Sequence, residues 1–156
     1  MRHRLVRWAP YPPQALFDLV ADVGRYPEFV PWLERVRVWN RVPRGEGVDS
    51  LDAEAEVRFG LVRERFATRV RLDRPGMRIE VDLISGPFRR LRNLWTFEAA
   101  EVGGDAGCRL GFEIDAEFGP RLLSALLAAN KERAASRLVA CFEARAAALY
   151  GRRGAA

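Results

Sequence analysis

The chain has 156 residues, and its hydrophobic fraction of 49% suits one domain with a single core. No stretch approaches the ~20 apolar residues of a membrane span, and the first residues lead into an alternating pattern instead of the apolar run of a signal peptide. We therefore expect a soluble, cytoplasmic protein whose net charge of +5 still has to be explained.

The chain begins with a predicted strand, Arg2 to Trp8, which is followed by two short helices. Tyr11-Pro12-Pro13 ends the strand and starts the first helix, and a second short turn covers Val23 to Arg25. The next segment, Tyr26 to Leu33, places large aromatic side chains between prolines. This pattern is typical of a rigid apolar segment that other parts of the protein must cover.

Six further strands are predicted from an alternation of apolar and charged residues that continues as far as Phe118. From Leu51 onward, their solvent-facing residues are successively acidic, basic, mainly acidic, basic and acidic. Opposite charges on neighbouring strands stabilise a sheet. The pattern therefore predicts an antiparallel meander in which sequence neighbours are also spatial neighbours.

The same pattern accounts for most of the positive charge. With the other arginines paired across strands, scattered basic residues remain at Arg2, Arg4, Arg7, Arg35, Arg37 and in the carboxyl-terminal tail. A nucleic-acid site usually combines a concentrated basic stripe with stacking aromatics. We therefore expect no specific DNA partner.

One long amphipathic helix is predicted from Pro120 to Tyr150, with proline at its start and Gly151 after its end. A single helix is too narrow to cover so wide a sheet. We therefore predict an α+β fold in which a curved antiparallel sheet of about seven strands surrounds the helix and leaves an apolar cavity. The predicted apolar stripe of the helix comprises Leu123, Leu126, Leu127, Asn130, Ala134, Leu138, Cys141, Arg145 and Leu149.

This order of elements resembles the START-like, helix-grip superfamily, which is also called polyketide cyclase-like. The segments Val20-x-Asp22-Val23-x-x-Tyr26-Pro27-x-Phe29-Val30-Pro31-Trp32 and Gly86-Pro87-Phe88-x-x-Leu91-x-x-x-Trp95-x-Phe97 are similar to its coenzyme Q-binding branch, as is the end of the long helix. That branch also includes ribosome-association-toxin type proteins. The resemblance implies a single START-like domain over residues 1–151, with a short tail at 152–156.

The resemblance also implies a function. A non-catalytic protein of this branch holds coenzyme Q (ubiquinone) or a related polyprenyl lipid in the cavity and supports respiratory electron transport or quinone biosynthesis. We expect no required cofactor, transient contact with a membrane surface, and a location in the cytoplasm or at the periphery of the inner membrane.

The cavity is expected to be lined by inward-facing apolar and amide side chains. These are Phe29, Val30, Trp32, Leu91, Asn93, Trp95, Phe97, Leu126, Leu127 and Asn130. The two asparagines are suited to donating to quinone carbonyls, although satisfied structural amides remain an alternative. Trp95 and Phe97 fit plain core positions as well as cavity walls, and Glu64 is expected at the rim.

Two rival functions remain open at this stage. A ribosomal subunit would be the partner if a surface patch carries the function, as in the toxin-type proteins, whereas an aromatase/cyclase-type enzyme would use the inward Asn and Glu groups. Catalytic residues are not predicted, because His3 is the one histidine and is expected at a solvated strand edge. No His/Cys cluster has metal-ligand spacing, so no metal site is predicted.

Overall fold

The computed structural model describes residues 2–128 and 134–151, and within them seven strands surround the helices as predicted. Strand β1 is followed by α1 and a 3-10 helix, then by β2 to β7, and finally by α2 and α3. The bounds are β1 Arg2–Ala9, α1 Pro13–Ala21, 3-10 helix Val23–Glu28, β2 Leu33–Gly45, β3 Val48–Phe59, β4 Val62–Asp73, β5 Arg78–Ser85, β6 Phe88–Val102, β7 Asp105–Phe118, α2 Pro120–Ala128 and α3 Ala134–Tyr150.

The α+β prediction with a curved antiparallel sheet is confirmed. The strand order is β1-β7-β6-β5-β4-β3-β2, and each neighbouring pair is antiparallel. Strands β2 to β7 thus form the predicted meander, with β1 and β2 at the two edges. Because consecutive hairpins alternate, the β3–β4 and β5–β6 turns lie at one end of the sheet, together with the start of α2.

Charge pairing across the outer face follows the predicted stripes. Glu56 lies opposite Arg65, which donates to it at 2.7 Å, and Asp82 lies opposite Arg92, with a nitrogen-to-oxygen distance of 3.1 Å. Each exposed pair of this kind contributes little to the free energy of unfolding. A shifted register, however, would place like charges opposite each other, which destabilises a sheet. The register is therefore consistent with the charge pattern.

Three arginines that were expected to be unpaired are in fact paired. Arg2 and Arg4 on β1 meet Asp115 and Glu113 on β7, at 3.6 Å and 2.9 Å, and Arg37 approaches Glu54 at 3.9 Å. The prediction was wrong for these residues because it assigned cross-strand partners only from Leu51 onward. The edge strands β1 and β2 extend the same alternating ladder.

Asp52 is a buried carboxylate on this outer face. It accepts hydrogen bonds from Arg69 Nε at 3.0 Å and from Asn40 Nδ2 at 2.9 Å. The bond from Arg69, and then that from Asn40, hold the pKa of Asp52 below its ordinary value of 3.8. Because the folded-state pKa is lowered, the resulting stability is present above the unfolded pKa and is lost as the pH falls through the folded one.

Asp52→Asn should therefore lower the free energy of unfolding by about 1 kcal/mol at pH 7, since Arg69 is half exposed and solvent weakens the pair. The difference from wild type should shrink below about pH 4. Urea unfolding at pH 7 and at pH 3 measures both values, with the exposed Glu101→Gln as a control. An equal deficit at both pH values would contradict this assignment.

The sheet-facing side of α3 differs from the predicted stripe. Its buried residues are Ala135, Val139, Phe142 and Ala146, whereas Leu149, which was predicted to be buried, is 51% exposed. The prediction followed the leucines, but the two alanines allow a close approach to the sheet and Phe142 fills the remaining space. The predicted continuity of the helix from Pro120 to Tyr150 concerns residues 129–133, which lie outside the described residues.

Within residues 2–128 and 134–151, no helix combines the length and apolar character that crossing a bilayer requires.

Candidate functional site

The inner face of the sheet is covered in two different ways. Beneath α1 and α3 it forms a tight core, in which Phe17, Ile79, Phe112 and Val139 are almost completely buried. At the end that carries α2, a row of large apolar side chains is only partly covered. This second region is the candidate site, and the core next to it determines its shape.

Phe142 of α3 is the centre of the aromatic packing in the core. Its ring centroid lies 4.8 Å from that of Trp95 and 5.0 Å from those of Tyr26 and Phe29. Trp95 also contacts Phe112, with a centroid distance of 4.7 Å. Edge-to-face contacts at these distances stabilise beyond the buried area itself. The long helix is therefore fixed to the sheet through aromatic rings.

The aromatic segment after α1 packs on this helix. The Tyr26 hydroxyl donates to the carbonyl of Val20, and burial, followed by the charge of Asp22, raises the pKa of Tyr26. Arg145 bonds Glu28 at 2.7 Å and places its guanidinium over the ring of Phe29, 5.2 Å from the centroid. The rings of Tyr26 and Phe29 are thus covered by α3, which agrees with the prediction that other parts of the protein cover this segment.

Half-buried apolar side chains form the second region, which we call the α2-end strip. Phe66 contacts Phe88 with a ring distance of 5.2 Å, and Phe88 contacts Phe118 at 5.4 Å. The strip lies on the inner face, because its members on β3, β4, β5 and β7 continue the buried positions of their strands. Phe88 joins them because a register shift between Phe88 and Arg90 sets it opposite Phe118. Its members are Phe59, Val62, Phe66, Leu83, Phe88 and Phe118.

None of the predicted cavity residues that the structure describes is a member of the α2-end strip. Phe29, Val30, Trp95 and Phe97 belong to, or pack against, the tight core, and Val30 has no exposed surface. Leu91 is also buried, but it lies outside that core cluster.

Trp32 lies at the border of the strip. Its ring stacks near Phe59 with a centroid distance of 6.5 Å, and Arg137 of α3 covers it at 5.6 Å. The side chains of Leu126 and Leu127, and the whole of Asn130, lie outside the described part of the structure.

The polar groups near the strip have identifiable roles. Asn93 donates through Nδ2 to the carbonyl of Glu113 at 2.8 Å, which supports the alternative of a structural amide. Glu64 meets Arg121 of α2 at 3.5 Å and is largely shielded from solvent. The Glu64–Arg121 pair connects the start of α2 to β4.

His3 was predicted to be a solvated edge residue, and the structure corrects this. It is half buried, and its partner in β7 is Ile114, which lies on the inner face. Its Nε2 atom is buried and has no hydrogen-bond partner among the described residues. This nitrogen therefore lacks the partner that buried polar atoms normally have.

Two cavities formed by described residues lie away from the predicted site residues. One of about 200 Å³ separates α1 and α3 from β1, and its walls include Tyr11, Leu16, Leu19, Leu110 and Phe142. The other, of about 230 Å³, is lined largely by charged residues that pair with one another, as Arg74 does with Asp18 at 2.8 Å. Both are smaller than the usual site for a drug-sized ligand.

Two observations concern metal ligands and nucleophiles among the described residues. In the described part of the chain, no three side chains of His, Cys, Asp or Glu gather in a way that holds a metal ion. Burial raises the pKa of the Cys108 thiol to about 11, so that this cysteine is a poor nucleophile at neutral pH. The apolar side chains of the α2-end strip could contact a ligand through apolar surface.

The predicted site did not include the members of the α2-end strip. Phe66 and Phe118 occupy inward positions of the alternating pattern, but alternation shows which face a side chain occupies and not how well that face is covered. The available signal was a phenylalanine on each of three strands, namely Phe66 on β4, Phe88 at the start of β6 and Phe118 at the end of β7. They recur at one end of the sheet, where three rings contact one another.

Comparison with known proteins gives one family and several relatives. Residues 9–143 match the family model described as polyketide cyclase / dehydrase and lipid transport. The ribosome association toxin RatA of Pseudomonas aeruginosa is 39% identical over 142 residues, which are 91% of this chain and 92% of that protein. The mitochondrial coenzyme Q-binding protein COQ10 homolog B of Xenopus laevis is 31% identical over 140 residues, 89% of this chain and 55% of that protein.

Solved structures show the same fold. An 18 kDa protein of Caulobacter crescentus, known from its solution structure, is 48% identical with a TM-score of 0.75, covering 97% of this chain and 99% of that one. The Zhui aromatase/cyclase of Streptomyces sp. R1128 is 16% identical with a TM-score of 0.64, covering 95% of each chain. At that low identity, the second likeness concerns the fold alone.

Proposed function

Because this chain belongs to the polyketide cyclase / dehydrase and lipid transport family, we propose that it binds a hydrophobic ligand without turning it over. The ligand class is a polyprenyl quinone of the coenzyme Q type or a related polyprenyl lipid. It is held between the inner face of the sheet and the carboxyl-terminal helices, in support of respiratory electron transport or quinone biosynthesis.

The α2-end strip is the observation that carries this proposal. Its phenyl rings and aliphatic side chains remain half buried on the inner face, although the neighbouring core is tightly packed. Each CH₂ group that leaves water contributes about 0.8 kcal/mol. A prenyl chain lying along the strip would therefore gain affinity without needing a charged contact.

A quinone also has a polar headgroup, and His3 offers a partner for it. The buried Nε2 of His3 lacks a hydrogen bond within the described residues, and it lies on the same face as Ile114. An imidazole N–H that donates to a quinone carbonyl would satisfy that atom. The relative named as a coenzyme Q-binding protein supports the same ligand class.

The engaged polar groups favour binding over catalysis. Asn93 is held by the carbonyl of Glu113, and Glu64 is paired with Arg121. An asparagine amide does not transfer protons near neutral pH, and the Glu64 carboxylate is engaged by a cation. We therefore propose that this chain carries a ligand, whereas the structurally similar Zhui protein is named as an aromatase/cyclase.

Titration with decylubiquinone tests the proposal. Saturable quenching of the intrinsic tryptophan fluorescence is expected, because Trp32 and Trp95 flank the inner face, and chromatography should recover the quinone unchanged. Quenching that never saturates would contradict binding. A chemically altered quinone would contradict the absence of turnover.

A second candidate function is association with the ribosome through the protein surface. Several relatives are named ribosome association toxin, including the one that is 39% identical. On the outer face of β2, Arg35 and Arg37 precede the exposed Trp39, and the guanidinium of Arg37 lies 4.9 Å from its ring centroid. Arginine and an exposed indole are groups that contact RNA.

Co-sedimentation with ribosomal subunits at low salt tests this candidate. Association that weakens in Trp39→Ser and as salt rises would favour it. Association that is absent at low salt, or that Trp39→Ser leaves unchanged, would eliminate this surface.

A further inference from the structure

We propose that the β3–β4 hairpin tip, with Leu61 at its apex, inserts into the surface of an anionic lipid bilayer. The inference rests on the proposed function and adds its partner, because a membrane is where a polyprenyl ligand resides. The tip is defined as residues 58–63.

Leu61 is the most conspicuous apolar group on the protein surface, since 94% of its side chain is exposed. It follows Gly60, whose φ of +62° allows the tight reversal between β3 and β4. Arg58 Nε donates to the carbonyl of Gly60 at 3.0 Å and so fixes the turn. The leucine is thus presented on an ordered turn, where it contacts little of its own protein.

Four arginines surround the tip. Arg58 and Arg63 lie opposite each other and share one carboxylate, that of Glu34, at 3.5 Å and 3.7 Å. Arg121 pairs with Glu64, the third residue of β4, and Arg137 lies over Trp32. These four cations face two carboxylates, so the group carries a surplus of positive charge around an exposed apolar residue.

This combination fits the interface of an anionic membrane. An aliphatic side chain gains by entering the acyl boundary, and each nearby arginine is attracted by the negative surface potential. The two residues that close the hairpin, Phe59 and Val62, are members of the α2-end strip. Docking through Leu61 would therefore bring the strip close to the lipids and give a prenyl chain a short path between bilayer and protein.

Vesicle flotation of the full chain tests the proposal. We expect binding to phosphatidylcholine vesicles with roughly one third phosphatidylglycerol, and much weaker binding to phosphatidylcholine alone. Leu61→Ser should lower the partition coefficient about tenfold, because it removes one inserted aliphatic side chain. Arg63→Gln should lower it about fivefold, with the loss reduced at high salt.

Val102→Ser is the matched control, because Val102 is also exposed but lies next to the β6–β7 hairpin at the opposite end of the sheet. It should float like wild type. Flotation that Leu61→Ser leaves unchanged, or that Val102→Ser weakens equally, would overturn the proposal. Wild-type protein that ignores both vesicle types but co-sediments with ribosomal subunits would overturn it in favour of an RNA-containing partner.

The quinone titration keeps this inference separate from the proposed function. In buffer without vesicles, Leu61→Ser should bind decylubiquinone as wild type does. Leu61-dependent flotation by a protein that takes up no quinone would support the docking surface and reject the ligand.

Discussion

Phe142→Ala should lower the free energy of unfolding by about 3–5 kcal/mol. The side chain is 2% exposed, and its ring contacts Tyr26, Phe29 and Trp95 at centroid distances of 4.8 to 5.0 Å. Truncation would leave a cavity between α3, the aromatic segment and the sheet. A domain of this size has roughly 5–15 kcal/mol of stability in total, so the loss would be a large part of it.

Urea unfolding monitored by circular dichroism measures this effect. Leu149→Ala is the matched control, since it truncates a residue on the same helix whose side chain is 51% exposed, and its effect should stay within about 0.5 kcal/mol. If Phe142→Ala does not fold, the milder Phe142→Leu should still be less stable than wild type. A Phe142→Leu protein with wild-type stability would contradict the central role of this ring.

Leu83→Asp should weaken decylubiquinone binding by at least about thirtyfold, which corresponds to ~2 kcal/mol. Leu83 is half buried on the inner face, opposite the buried Thr68 and close to Phe66 along the neighbouring strand. The substitution removes an apolar contact and places a carboxylate that a prenyl chain would have to desolvate. Fluorescence titration in vesicle-free buffer gives the dissociation constant.

Two control variants separate position from chemistry. Leu83→Met keeps the volume and apolar character and should bind as wild type does, while Leu61→Asp adds the same charge at the exposed hairpin tip and should also leave binding unchanged. Circular dichroism confirms that each variant is folded. Wild-type affinity in a folded Leu83→Asp protein would remove the α2-end strip from the binding site.

The fold was predictable because its signals are local and repeated. Along β3, Leu51, Ala53, Ala55 and Val57 alternate with Asp52, Glu54 and Glu56, and the structure buries the first set. The charges of Asp52 and Glu56 then predict their partners Arg69 and Arg65 on β4, and the observed register places each pair opposite. Alternation and charge together define both the face and the neighbour of a strand.

The orientation of α3 was harder to predict, because two nearly equivalent stripes run along it. Leu138, Cys141 and Leu149 are more hydrophobic than Ala135 and Ala146, yet the alanines face the sheet. Close approach favours small side chains, and a sequence does not state how near two elements will pack. Phe142 was the informative residue, because one large ring between two alanines needs a partner of complementary shape.

The candidate site shows the same limit more clearly. The sequence left open whether Trp95 and Phe97 line a cavity or form plain core, and they lie in tightly packed surroundings, with 2% and 4% of their surfaces exposed. Phe66 and Phe118 follow the same alternation and remain half buried, and a register shift brings the half-buried Phe88 opposite Phe118. Which inward residues stay accessible depends on how far α1, α2 and α3 cover the sheet. The distances between the helices and the sheet decide which residues stay accessible, and the periodicity of a sequence gives no information about these distances.

Organic extraction of freshly purified protein, followed by mass spectrometry, tests the central claim most directly. A non-catalytic carrier should yield a prenyl quinone or a related polyprenyl lipid at close to one molecule per chain. The amount should fall sharply in Leu83→Asp protein and stay unchanged in Leu83→Met. A wild-type protein that is empty when purified, and that also fails to take up added quinone, would contradict the account and favour the ribosomal surface.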